Sequence, residues 1–187
     1  VFMKATFEQN DALIIVDVQN DFCPGGKLAL DEGDEVVPVI NALSAQAQEA
    51  GIPVFVSRDW HPRHHVSFDE RGGPWPEHCV QDTKGAEFHP DLILPENARL
   101  VSKGARFDID QYSAFDKTGL VSELVHLNIK RVWVVGLALE VCVKATALDA
   151  TKNDYETFLV EEGTRFIDRA DAEKAREELR EAGVIFK

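Results

Sequence analysis

Three sets of residues in this 187-residue chain carry groups that can do chemistry. In Asp59-Trp60-His61 a carboxylate and an imidazole stand two residues apart. In extended backbone such residues point to the same side, about 6.6 Å apart along the strand, so both can converge on one ion. His78 lies in the same long segment and can return as a third ligand. Two neutral imidazoles and one carboxylate suit Zn²⁺, Fe²⁺ or Mn²⁺ and leave coordination positions for water or substrate. The competing reading is that these residues bond their own loop turns. Further histidines close by, His64 and His65, weigh toward a metal.

The second stretch holds Cys142, two residues after Glu140 and near the start of an expected helix. A helix N-terminus favours a thiolate, and its free N–H groups can hold an oxyanion. The alternative is a small buried core residue, the usual fate of a lone cysteine. Cys23, before Pro24, and Cys79, after His78, have weaker claims and both fit as packing residues. The third set is Asp17 and Lys103, each ending an apolar run. A carboxylate there is costly unless paired or functional. The two can form a buried ion pair and nothing more, or join a thiol as nucleophile, base and orienter. Asp17 would then take the thiol proton and later deliver it to a leaving amine, with Lys103 holding the carboxylate. Phe22, Trp75 and Tyr112 are aromatics near the same strand ends or in adjoining loops. They are packing residues by default, and would sandwich a flat aromatic substrate if they converge.

Such residues need a fold that brings them together. Ala12 to Val16 is a continuous apolar run of the kind buried on both faces of a parallel sheet. A helix is expected after Asp34, with Asp34 as cap, Pro38 in the first turn, and Val36, Ile40, Leu43, Ala47 and Ala50 on one face up to Gly51. Further strands are expected at Pro53–Val56, Ala98–Val101, Val132–Val135 and Thr157–Val160, with a closing Val184-Ile185-Phe186. Helices are expected from about Glu140 to Lys152 and from Ala172 to Ala182. Arg58 to Asn97 shows no clear helix, yet holds five of the six histidines and two of the three tryptophans, so it reads as a functional loop. The alternation predicts an α/β fold: a doubly wound, mainly parallel six-stranded sheet, order 3-2-1-4-5-6, with helices on both faces. In such sheets ligands bind beyond the carboxyl ends of the strands, where Asp17, Asp59, His61, Lys103 and Cys142 fall.

Composition narrows the classes. The length suits one domain, residues 1–187, and 44% hydrophobic with 28% charged residues is globular. A formal charge of −13 repels phosphate backbones, so no nucleic-acid partner is expected. No apolar run is long enough for a signal core or membrane span, and three cysteines suit a reducing compartment, so no membrane partner and a cytoplasmic location are expected. The absence of G-x-S-x-G, a Walker loop and G-x-G-x-x-G sets aside the usual esterase, NTPase and dinucleotide readings.

Taken in order, Val16-Asp17-Val18-Gln19-Asn20-Asp21-Phe22, Cys23-Pro24-Gly25-Gly26, Arg58-Asp59-Trp60-His61-Pro62, His65-Val66-Ser67-Phe68, Trp75-Pro76-Glu77-His78-Cys79-Val80, Lys103-Gly104, Tyr112-Ser113 and Gly136 through Cys142 resemble the nicotinamidase/pyrazinamidase branch of the isochorismatase-like cysteine hydrolases. The resemblance runs from about Ala12 to Asp149. It implies a catalytic triad of Asp17, Lys103 and Cys142, and one divalent metal, zinc foremost with iron or manganese as alternatives, on Asp59, His61 and His78. It implies nicotinamide as substrate, its ring nitrogen on that metal and its ring among Phe22, Trp75 and Tyr112. Attack by Cys142 on the carboxamide would release ammonia, and water would hydrolyse the thioester to nicotinate. The oxyanion would rest on the N–H groups of Ala138 and Cys142, helped by a cis peptide before Ala138. Pyrazinamide is expected as a substrate too. The fourth metal position varies among relatives, with His65 and then Glu70 the nearest candidates here. Leu139 departs from the pattern, standing where the family commonly has threonine. Relatives are often dimers or larger, which leaves a homo-oligomer open. The alternatives are a metal-free relative acting on another small amide, carbamoyl or vinyl-ether substrate, and a non-enzymatic zinc-binding or redox-sensing module.

Overall fold

The computed structural model describes residues 2–187. Six strands form one parallel sheet in the order β3-β2-β1-β4-β5-β6. They are β1 (Asp11–Val16), β2 (Val54–Asp59), β3 (Arg99–Lys103), β4 (Arg131–Leu137), β5 (Glu156–Arg165) and β6 (Ile185–Phe186). This is the expected doubly wound order. The apolar run of β1 is explained by its place: it lies between β2 and β4, and all six of its residues are buried.

Alternate side chains of the central strands enter two cores. Leu13, Ile15, Val54, Val56, Trp133 and Val135 meet α1 (Val36–Ala50) on one face. Ala12, Ile14, Val16, Phe55, Val132 and Val134 meet α2 (Leu120–His126), α3 (Lys144–Lys152) and α4 (Arg169–Glu181) on the other. The period of two in the strands thus becomes two separate cores with helices on both faces. Among the described residues, no helix is long and apolar enough to cross a membrane.

Several local expectations change. Asp34 does not cap α1; it lies in a short 3₁₀ turn, Gly33–Glu35, and no side chain caps the helix start. Gly51 does end α1 in the left-handed conformation. The helix expected from Glu140 opens as a π-helical turn, Leu139–Val143, before α3 takes over. α4 begins three residues earlier than expected, because the Asp168 side chain accepts the Asp171 N–H at 2.9 Å and caps it. The short α2 was not expected, as seven residues give too little periodicity to read.

At the opposite end of β1 from the site, buried Asp11 accepts from Arg131 Nε at 2.8 Å, Trp133 Nε1 at 2.9 Å and the Glu8 N–H at 2.9 Å. That network joins β1 to β4 and ties down the segment preceding β1.

Candidate active site

The strand ends assemble the chemistry. Asp17 is the first residue beyond β1, with a positive φ of 51°, Asp59 ends β2, Lys103 ends β3, and Cys142 lies in the π-helical turn after β4. These four strands are neighbours, and the chain winds away in opposite directions from β1 and β4, so the site occupies the topological switch point.

Lys103 is the hub. Its Nζ donates to Asp17 Oδ2 at 2.7 Å and to Asp59 Oδ1 at 2.6 Å, and lies 3.4 Å from Cys142 Sγ. All four side chains are buried. Burial alone would lower the Lys103 pKa, but the carboxylates of Asp17 and Asp59 hold it well above its usual value. It is therefore a fixed ammonium. Burial pushes the Asp17 pKa up against the opposing pull of Lys103, so this carboxylate is a stronger base than an exposed one. Burial also raises the Cys142 thiol well above its usual value, with Lys103 opposing and Asp17 and Asp59 adding to the rise. That direction is opposite to the thiolate-favouring effect expected of a helix N-terminus.

Ser57, which sequence reasoning passed over, completes this cluster. Its hydroxyl donates to Asp17 Oδ1 at 2.7 Å, while its carbonyl accepts the Asp17 N–H at 3.1 Å. Gln19 was missed as well. Fully buried, it donates to the Asp59 carbonyl at 2.7 Å and accepts the Asp59 N–H at 2.9 Å, extending the β1–β2 pairing past the strand ends. The available signal was a polar residue inside, or just past, an otherwise apolar strand.

Asp59, His61 and His78 place their ligand atoms within 4.8 Å of one another. His61 Nδ1–H donates to the Gly104 carbonyl at 2.8 Å, and His78 Nδ1–H donates to the Pro76 carbonyl at 2.7 Å. Both rings therefore turn Nε2 toward Asp59 Oδ2, at 3.5 and 3.7 Å. Two nitrogen lone pairs aimed at a carboxylate oxygen repel it unless a cation lies between them. The separations are close to the edge, about 3.4 Å, of a tetrahedron of metal–ligand bonds near 2.1 Å. The donor set thus fits a divalent metal, with the backbone carbonyls fixing the imidazole tautomers from behind. Gly104 has φ +61°, and a Cβ there would meet His61 Cε1 at 2.4 Å, so only glycine lets the ring sit against this turn.

Neither candidate for a fourth protein ligand reaches this group. His65 stacks on His61 at 4.0 Å, but its Nδ1 accepts from the Ser67 hydroxyl at 2.7 Å and its Nε2–H donates to the Ile109 carbonyl at 2.8 Å. Both nitrogens are already committed. Glu70 is exposed and pairs with His64 at 2.8 Å.

Phe22, Trp75 and Tyr112 line one pocket together with Asp59, His78, Ala138 and Cys142. Trp75 Nε1–H donates to the Tyr112 hydroxyl at 3.1 Å, which joins two of the aromatics at the rim. The cavity volume is only about 20 Å³, so the pocket is a narrow cleft between these side chains. Leu28, Leu137, Val141 and Ile167 add apolar wall, and Asp110 adds a carboxylate. None of these five was singled out as a site residue from sequence, because they come from four separate segments. The Leu137–Ala138 peptide is cis, as the resemblance implied. Leu139, the departure from the family pattern, is buried in the helix-side core.

Comparison with known proteins gives the family. The isochorismatase domain family matches residues 11–186. The nicotinamidase of Acinetobacter baylyi is 37% identical over 198 residues, covering 94% of this chain and 91% of that protein. The crystal structure of Pyrococcus horikoshii pyrazinamidase in complex with zinc is similar at a TM-score of 0.93 and 45% identity, covering 95% of this chain and 98% of that one. PnC1 of L. infantum in complex with nicotinate is similar at a TM-score of 0.88 and 38% identity, covering 96% and 92%. With its sheet order, strand-end cluster and these similarities together, the chain belongs to the isochorismatase family.

Proposed function

We propose that this protein is a nicotinamidase, hydrolysing nicotinamide to nicotinate and ammonia and accepting pyrazinamide as a second substrate. The observation that carries the proposal is one small pocket shared by a buried Asp–Lys–Cys cluster, a metal-type donor set and three aromatic side chains. Its relatives include a nicotinamidase and a pyrazinamidase, and one similar structure holds nicotinate.

In this reading Cys142 Sγ attacks the carboxamide carbon while Asp17 takes its proton. Lys103 and Ser57 hold the two oxygens of Asp17, which keeps the base aimed and the developing charge balanced. The N–H groups of Ala138 and Cys142 receive the oxyanion. Asp17 returns the proton to the amine, the C–N bond breaks and ammonia leaves. Water then adds to the thioester carbon, giving up a proton to Asp17, and nicotinate departs as the thiol is restored. Asp59, His61 and His78 would hold the divalent metal, with zinc the expected ion. When bound it supplies a Lewis acid beside the pocket, able to anchor a ring nitrogen. The face of the ring rests among Phe22, Trp75 and Tyr112. A neutral substrate needs no steering by the net charge, and the three free, buried cysteines suit a reducing cytoplasm.

The test is ammonia release from nicotinamide by purified, metal-loaded, reduced protein. Wild-type protein should turn over, and Cys142→Ala should not, while both bind the metal equally. No release by the wild type would sink the proposal. Metal loss in Cys142→Ala would instead make the cysteine a ligand.

A further inference from the structure

Glu140 sends its carboxylate out of the turn that carries Cys142 and onto the backbone of another segment. Its Oε2 accepts the N–H groups of Ile167 and Asp168 at 3.0 and 2.8 Å, and its Oε1 accepts the Ile167 N–H at 3.1 Å. The π-helical turn is thereby tied to the loop between β5 and α4. The far end of that loop is fixed separately, by the Asp168 side chain capping α4.

The side chain held in place by this clamp is Ile167. It is 44% exposed, yet it lines the pocket beside Cys142, Ala138 and Tyr112. It also borders two outer clefts, one reaching Leu30 and Arg165, the other Lys144 and Lys174. Ile167 is thus common to the reaction pocket and both open clefts, and stands with Trp75 and Val141 between the pocket and the second of them. Apolar contact is non-directional and would let such a residue drift. Hydrogen bonds from two consecutive amides to one carboxylate are directional and charge-assisted, and they set the backbone's place.

We infer that Glu140 is a positioning residue that holds Ile167 as the outer wall of the pocket, and so limits the site to small carboxamides of unsubstituted single rings. Amides with added ring substituents are disfavoured at this wall. The consequence for nicotinamide rests on the functional reading above, but the wall itself does not.

Two measurements test the clamp. In the first, alkylation of Cys142 by iodoacetamide and by the bulkier N-phenylmaleimide is followed by peptide mass spectrometry, and the ratio of the two rates is taken. In the second, kcat/KM is compared for nicotinamide and 5-methylnicotinamide. Glu140→Ala and Ile167→Ala should each shift both ratios about tenfold toward the bulkier compound, the scale of one methylene at a pocket wall. Glu140→Gln retains one acceptor oxygen and should fall between Glu140→Ala and the wild type. Asp168→Ala loosens α4 but keeps both backbone amides, and should stay at the wild-type ratios even with a lower Tm. A Glu140→Ala ratio within about twofold of wild type, or Asp168→Ala matching Glu140→Ala, would overturn the inference. So would unchanged ratios in Ile167→Ala, which leaves the clamp intact and covers the case in which Glu140→Ala fails to fold. Wild-type protein that releases no ammonia would overturn the functional reading alone, and the alkylation ratios would still decide the clamp.

Discussion

Replacing Lys103 by methionine keeps the length of the side chain and removes the single positive charge at the centre of the site. The wild-type ammonium makes two short ionic hydrogen bonds, at 2.7 and 2.6 Å, to carboxylates that are themselves buried. Without it Asp17 and Asp59 face each other with no counter-charge from the protein. Breaking a buried pair by removing one partner costs about 3–5 kcal/mol, because the remaining charge is neither solvated nor paired. At this chain length 1 kcal/mol shifts Tm by about 2–4 °C, so Lys103→Met should melt roughly 6–20 °C lower. Activity should fall by about 10²–10⁴-fold in kcat, the usual contribution of a placed acid–base group. Thermal unfolding and ammonia release, both on metal-loaded protein, give the two numbers. Adding Asp17→Asn removes one orphaned charge, so the double variant should regain part of the lost stability and remain inactive. A single variant with Tm within about 2 °C of wild type, or a double variant less stable than the single, would refute the electrostatic account of this cluster.

Other perturbations follow from the same geometry. Gly104→Ala drives a methyl into the His61 ring and should lower metal affinity about 10–100-fold, read by competition with a chromophoric chelator; unchanged affinity would mean the turn gives way freely. Asp11→Ala strands the Arg131 and Trp133 donors at the far end of β1 and should cost about 3 kcal/mol with kcat unaltered. Burial, and then the nearby Asp34 charge, push the Cys23 thiol up to about 11. Iodoacetamide labelling of Cys23 in Cys142→Ala protein should therefore rise ~10-fold per pH unit through pH 8–10, as the thiolate fraction grows. Asp34→Asn should speed it, and a flat profile would contradict the assignment.

The parts of this site that were readable in advance share one property: each is marked locally. Asp17 and Lys103 stand out as charges ending apolar runs, and Asp59-Trp60-His61 as a pair on one side of extended chain. Because β2 runs on to Asp59, that residue belongs to a strand rather than to the loop, and the pairing of β2 with β3 sets it opposite Lys103. The sheet order followed from alternating strands and helices, since right-handed crossovers leave few ways to wind them. Ile167 carries no local mark, and Ser57 and Gln19 are marked only as polar residues in or just past an apolar strand. Their importance lies in contacts with residues 27 to 40 positions away, which their immediate neighbours do not name. His65 shows the opposite error: as a histidine in a histidine-rich loop it resembles a ligand, until Ser67 and the Ile109 carbonyl take both its nitrogens.

What the amino-acid sequence determined by itself is the inventory and most of its placement: a thiol, a carboxylate, an ammonium and a metal-type trio, all but His78 at or just past a strand end set by hydrophobic periodicity. Those are short-range properties, set by burial alternating along a few residues. Only the tertiary structure decided the protonation and the aim of those groups. Burial raises the Cys142 thiol pKa and makes Asp17 the stronger base, the Gly104 and Pro76 carbonyls turn His61 and His78 toward Asp59, and Glu140 holds Ile167 at the pocket's edge. The physical reason is that desolvation and hydrogen-bond direction depend on every neighbour in space, and most of those neighbours are distant in the chain.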